Sequence, residues 1–213
     1  MSDTRRKLID GAIQTLRTRG ITGTSARSIA AAAGVNQALV FYHFDSVDQL
    51  VDAACREGTA ELVAEYRARF LAVTSLRELL ALGRDLSVAE RQSGNVAVLA
   101  QVLAGAQQDP RLAGAARFAL ALWTTEVEGV LRRIMAGSPV SELADPAGFA
   151  PAIAASFIGI ELYGGVDPDA AASALDTLQA LSVLAELLDD LGPVARRALR
   201  ARLRRTGRGA DFS

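Results

Sequence analysis

The chain has 213 residues, 23 basic side chains against 24 acidic ones, a formal charge of −1, and an apolar half. That composition excludes a disordered polyelectrolyte and leaves one sizeable domain, or a small domain fused to a larger one. A single cysteine, Cys55, and a single histidine, His43, rule out an internal disulfide and nearly remove His/Cys metal sites and Ser-His-Asp triads. No catalytic residues, metal or cofactor are therefore expected. The charge is uneven. Residues 1–50 carry a surplus of two positive charges, residues 51–192 a deficit of nine, and residues 193–210 seven arginines without an acid. A basic leading segment on an acidic body suggests an anionic partner met at one end.

Taken in chain order, the charged start Met1–Lys7 leads into Leu8, Ile9, Ala12, Ile13 and Leu16 at helical spacing, so no signal peptide is visible. With the lone cysteine this fits a reducing, cytoplasmic setting. Helices are predicted near 3–19, 25–32, 36–42, 46–73, 75–91, 94–107, 110–136, 146–164, 168–190 and 193–205. Ser46-Val47-Asp48-Gln49 and Ser75-Leu76-Arg77-Glu78 read as capping boxes. Asp109-Pro110, Asp145-Pro146 and Asp167-Pro168 each place an acid at the N-cap and proline at the first helical position. Gly20, Gly34, Gly137 and the pair Gly164-Gly165 read as stops. Pro151 implies either a later start or a kink in its helix. No stretch alternates like a strand, and no run approaches the roughly 18–20 apolar residues of a membrane span, so the reading is all-α without a membrane partner.

Two short helices meet around Gly34 in Thr24-Ser25-Ala26-Arg27-Ser28-Ile29-Ala30-Ala31-Ala32-Ala33-Gly34-Val35-Asn36-Gln37-Ala38-Leu39-Val40-Phe41-Tyr42-His43-Phe44. A tight glycine turn followed by a capping Asn36 is the plan of a helix-turn-helix, whose second helix is about as wide as the DNA major groove. In spacing and residue type, residues 5–55 closely resemble the DNA-binding region of tetracycline-repressor (TetR) family regulators. The resemblance rests on a first helix ending in Gly20, Thr24-Ser25-x-Arg27-x-Ile29-Ala30, Ala33-Gly34-Val35, and Phe41-Tyr42-His43-Phe44 followed by Ser46 and Leu50.

The resemblance implies a homodimer on a double-stranded DNA operator, with a helix-turn-helix domain over 1–45 and a ligand-binding and dimerisation domain over 46–213. It places Gln37, Ala38 and Leu39 where base readers lie, and Tyr42 and His43 near phosphates. Gln37 is the best direct reader, because a carboxamide pairs bidentately with adenine. Asn36 caps that helix, while Thr24, Ser25 and Arg27 open the preceding one, where N–H groups and a guanidinium hold phosphate. Two departures stand out: the family commonly has tyrosine where this chain has Phe41 and lysine where it has Val47. Neither substitute can bond a phosphate. Phe41 and Phe44 read as core of the small domain, Val47 as packed against the third helix, and Cys55 as an ordinary semi-buried side chain.

Beyond residue 46, Tyr66, Phe70, Phe118, Trp123 and Phe157 lie on three of the predicted helices, with Gln101 and Glu126 among the few polar residues of this region. In the family the corresponding helices enclose a cavity, so these seven are the candidate lining for an apolar or amphipathic effector. Ile153, Phe157, Ile160, Leu175, Leu178, Leu181, Leu184 and Leu188 recur at helical spacing, which the resemblance makes a four-helix dimer interface. The expected function is a ligand-responsive regulator, most simply a repressor. The alternatives are a helical binding or interaction protein with weak or lost DNA binding, and an enzyme using Glu126 and Glu128 or Asp189 and Asp190. Adjacent residues on a helix point about 100° apart, so such pairs are not preset for acid–base work.

Overall fold

Apolar side chains at helical spacing, bounded by the caps above, produce helices and no strand among the described residues. The computed structural model describes residues 3–136, 145–189, 192, 194, 195, 197 and 198. Nine helices lie within them: α1 Asp3–Arg19, α2 Ala26–Ala33, α3 Ala38–His43, α4 Val47–Ala72, α5 Leu76–Gln92, α6 Asn95–Ala106, α7 Pro110–Ile134, α8 Pro146–Gly164 and α9 Pro168–Asp189. Gly137 and most of the expected helix 193–205, with its arginines except Arg197, fall outside the described residues.

The caps form largely as the sequence suggests. The Ser46 and Ser75 hydroxyls accept from the N–H groups of Gln49 and Glu78, both at 3.2 Å. Asp167 accepts from Ala170 N–H at 3.0 Å, and Asp109 from Arg111 N–H at the same distance. Asp145 differs: its side chain makes no cap bond, and the start of α8 is fixed by Pro146 instead. Pro151 lies inside an α8 that nevertheless begins at Pro146, so the earlier start holds and one backbone donor is absent from the first turns.

The chain forms two compact units, Met1–Tyr66 with Leu86–Trp123, and Arg67–Asp85 with Thr124–Ser213. The expected boundary after residue 45 falls inside the first unit. There Leu8, Ile9, Ile29, Val40 and Leu50, all fully buried, weld α1, α2, α3 and the start of α4. In the second unit α8 packs on α9, and Phe157 lies 3.6 Å from where a Cβ on Gly83 would stand. By length and composition α8 is apolar enough to cross a membrane, against the sequence expectation. Alanine and glycine raise its hydropathy without a run of large apolar residues, and Glu161 in it is buried within the unit.

Candidate nucleic-acid interface

Three short elements build this surface, and each is fixed by its own polar bonds. Ser25, extended at φ −147 and ψ 163, caps α2: its hydroxyl accepts from Ser28 N–H at 3.2 Å. The Ser28 hydroxyl accepts in return from Ser25 N–H at 2.8 Å, a reciprocal pair that the sequence reading missed because it uses serine in place of Glu or Gln. Thr24 is half-buried and donates to the Gly20 carbonyl at 2.8 Å, while Arg27 projects exposed from the first turn of α2. Gly34 ends that helix at φ 66, a left-handed conformation that favours glycine, and its N–H bonds back to the Ala30 and Ala31 carbonyls. The chain thus reverses in the few residues a helix-turn-helix allows.

Asn36 then starts α3, its Oδ1 accepting from Ala38 N–H at 2.9 Å and its carbonyl from Leu39 N–H at 3.0 Å. A six-residue helix has too few internal bonds to persist alone. Burial of Val40 at 0% exposure, with Phe44 just beyond its end, holds it in place. Leu39 is half-buried against the same core, so its side chain is largely committed to packing. The outward face consists of Gln37, Ala38, Phe41 and Tyr42, spaced i, i+1, i+4 and i+5. Phe41 is 54% exposed and Tyr42 80%, which corrects the expectation that Phe41 belongs to the core. Only Phe44 of that pair is buried, because Val40 already fills the inward position one residue before Phe41. His43 is half-buried and meets the Tyr42 ring edge-on at 5.0 Å. Val47 packs against the core, as expected of it.

The electrostatics are weaker than the sequence count suggests. Arg5 pairs with Glu57 at 2.7 Å and lies over the Phe44 ring, and Lys7 pairs with Asp3. Arg6 is held by Glu61 and Asp10. The bond to Arg6 keeps the Glu61 carboxyl below its usual range, while Glu61 and then Asp10 raise the guanidinium in turn. The leading cations are therefore largely answered by acids of α1 and α4. Arg19 and Arg27 are left exposed, with no ion pair among the described residues.

The seven residues expected around an effector divide between the units. In the first, the Tyr66 and Trp123 rings stand 6.2 Å apart at 51°, and the Arg56 guanidinium covers Phe118 at 5.0 Å. Gln101 is exposed and accepts from Ile21 N–H at 2.9 Å, so it clasps α6 to the end of α1. In the second, Phe70 is buried, Glu126 pairs with Arg67 at 3.0 Å, and Phe157 lies by Gly83. Glu90 and Asn95 were not singled out from sequence. They carry no motif, and only folding brings the end of α5 to the start of α6 beside α1.

Residues 8–54 match the model of bacterial regulatory proteins of the tetR family. Over 66 residues the chain is 36% identical to the transcriptional repressor KstR2 of Rhodococcus jostii strain RHA1, covering 31% of this chain and 32% of that one. It therefore spans about a third of that relative's length. A longer match joins it to the nicotine-responsive transcriptional repressor HdnoR of Paenarthrobacter nicotinovorans, 29% identical over 131 residues, covering 61% and 68% of the two chains. Among solved structures, the multidrug binding protein EbrR complexed with proflavin superposes with a TM-score of 0.57 at 28% identity, covering 83% and 99%. The reversal at Gly34, the capped α3 and the matched stretch agree with one another, and residues 8–54 form a DNA-binding region of the kind found in the tetR family of bacterial regulatory proteins.

Proposed function

We propose that the protein is a ligand-responsive transcriptional repressor that holds a palindromic operator as a homodimer and leaves it when a small molecule binds. The observation that carries this is the outward face of α3, where Gln37, Ala38, Phe41 and Tyr42 are exposed on a helix whose inner side is locked by Val40. In this reading Gln37 and Ala38 meet base edges, with Leu39 contributing at most its edge. Tyr42, His43, Thr24, Ser25 and Arg27 meet phosphates around the groove. Residues 1–45 read DNA, and 46–213 bind the effector and the second copy. Apolar side chains left exposed on α8 and α9, Tyr163 and Leu181 among them, support the twofold contact. The names of KstR2 and HdnoR as repressors support the direction of control, and EbrR with proflavin supports a small apolar or amphipathic effector. A DNA partner places the protein in the cytoplasm.

A second reading, a helical binding protein with weak DNA affinity, draws on the pairing of Arg5, Arg6 and Lys7 within the fold. A mobility-shift titration against DNA upstream of the protein's own gene separates the two. Specific retardation is expected, and Gln37→Ala should cost about 1–3 kcal/mol per half-site at one base position. Equal weakening on every sequence would remove Gln37 as a base reader. No retardation at low salt would favour the second reading.

A further inference from the structure

The outward face of α3 mixes several chemistries. Gln37 ends in a carboxamide, Tyr42 in a hydroxyl and Ala38 in a bare methyl, whereas Phe41 presents a phenyl ring with no donor or acceptor. That ring is more than half exposed, although its neighbours on the helix turn inward: Val40 is fully buried, and Leu39 packs against the same core. A lone apolar side chain on a surface means little by itself. Its place on this helix is what gives it a task.

Phe41 stands four residues after Gln37 and three after Ala38, so the three share one stripe, with Cβ atoms about 5–6 Å apart. Ala38 projects only a methyl and leaves the ring uncovered from that side. The stripe is held firmly, by Val40 beneath it and by Asn36 Oδ1 at its start. Since the tetR family match spans this helix, duplex DNA is the surface it would face. Four helical residues rise about 6 Å, against about 3.4 Å for one base step, which sets Phe41 about one to two base pairs beyond the edge met by Gln37. A phenyl ring can hold neither a phosphate oxygen nor a polar base atom. In the major groove the base edges expose one apolar group, the C5 methyl of thymine.

We propose that Phe41 is a specificity-determining residue that reads the C5 methyl group of a thymine in each half-site. Gln37 fits adenine, so each half-site would carry an adenine and, one to two base pairs along, a thymine whose methyl the ring covers. The contact adds sequence information without a hydrogen bond. It also adds no salt dependence, because an uncharged ring displaces no counterion. This inference rests on the DNA-reading role proposed above and deepens it.

The test uses the full chain and a duplex that it selects from a random-sequence pool. Each thymine of that duplex is replaced in turn by deoxyuridine, which pairs in the same way and lacks only the methyl. At one thymine per half-site the replacement should weaken wild-type binding about fourfold, and about 15-fold when made in both half-sites. Phe41→Ala should bind thymine and deoxyuridine duplexes equally at that position, with unchanged helicity and an unchanged slope of log affinity against log salt. Gln37→Ala should bind more weakly and keep the fourfold preference. A wild type indifferent to every deoxyuridine overturns the methyl contact, as does a Phe41→Ala protein that still prefers thymine there. A slope flattened by about 0.9 in Phe41→Ala would assign the loss to a neighbour's phosphate contact, and also overturns it. In each of these cases selective binding persists and the repressor reading stands. If the chain selects no sequence from the pool, even at low salt, the DNA-reading role itself fails and this inference falls with it.

Discussion

Cys55 lies half-buried on α4, where burial first and the neighbouring Asp52 second push its thiol up to about 11, from 9.0. The native state therefore keeps this proton where the unfolded chain has begun to lose it. The sign follows: the contribution is fully present below about pH 9, and stability falls as pH rises towards 11. Cys55→Ala should flatten that decline in denaturation midpoints measured between pH 8 and 11. At pH 8 the native thiol should also alkylate roughly 100-fold more slowly than the unfolded one, following its thiolate fraction. An equal alkylation rate in both states would mean that Cys55 is not desolvated. The same scale shows where sequence reading stops. Helical spacing places Val40 and Phe44 on the inner side of α3, but Leu39 and Phe41 flank that stripe and their composition is alike. Which of them turns inward is settled by how α1 and α4 close over the helix, so Leu39 packs and Phe41 does not.

At the scale of elements, the junction of α1 with α6 depends on one glycine. Gly20 has φ 69, and a Cβ there would stand 2.4 Å from Gln101 Oε1, the atom that accepts from Ile21 N–H. Gly20→Ala should cost about 1–2 kcal/mol in backbone strain, and about 1 kcal/mol more by expelling Gln101. In a Gln101→Ala background only the strain remains, so a double-mutant cycle in urea should return a coupling of about 1 kcal/mol. Equal costs in both backgrounds would show that Gln101 does not clasp Ile21. Gly20 was legible in sequence as the stop of α1, whereas Gln101, bonded to Ile21 across eighty residues of chain, was not. The helix limits were legible nearly everywhere, because caps and prolines act locally: α4, α5, α6 and α8 begin within a residue of their expected starts. Long-range clasps such as Gln101 to Ile21, or Asn95 to Arg17, leave no local trace.

Over the whole molecule, large apolar side chains exposed on α8 and α9, with Leu162 at 46%, Tyr163 at 59% and Leu181 at 53%, are more than isolated surface residues usually supply. Sedimentation equilibrium should give a dimer at micromolar concentration, and Leu181→Arg, placing charge on that surface, should give monomers with unchanged helicity. A wild-type monomer would remove the twofold operator from the proposal. Charge also has a bearing on how the protein finds its site. Arg5, Arg6 and Lys7 are spent on acids of their own fold, so in the proposed complex these three would displace few counterions from a duplex. Grip on random sequence would then weaken more than grip on the proposed operator, where base contacts would be retained. A repressor built this way would spend little time tracking along chromosomal DNA and would reach its target mainly by repeated collisions from solution. Its occupancy would follow its copy number closely, with little of the pool held in reserve on the rest of the genome.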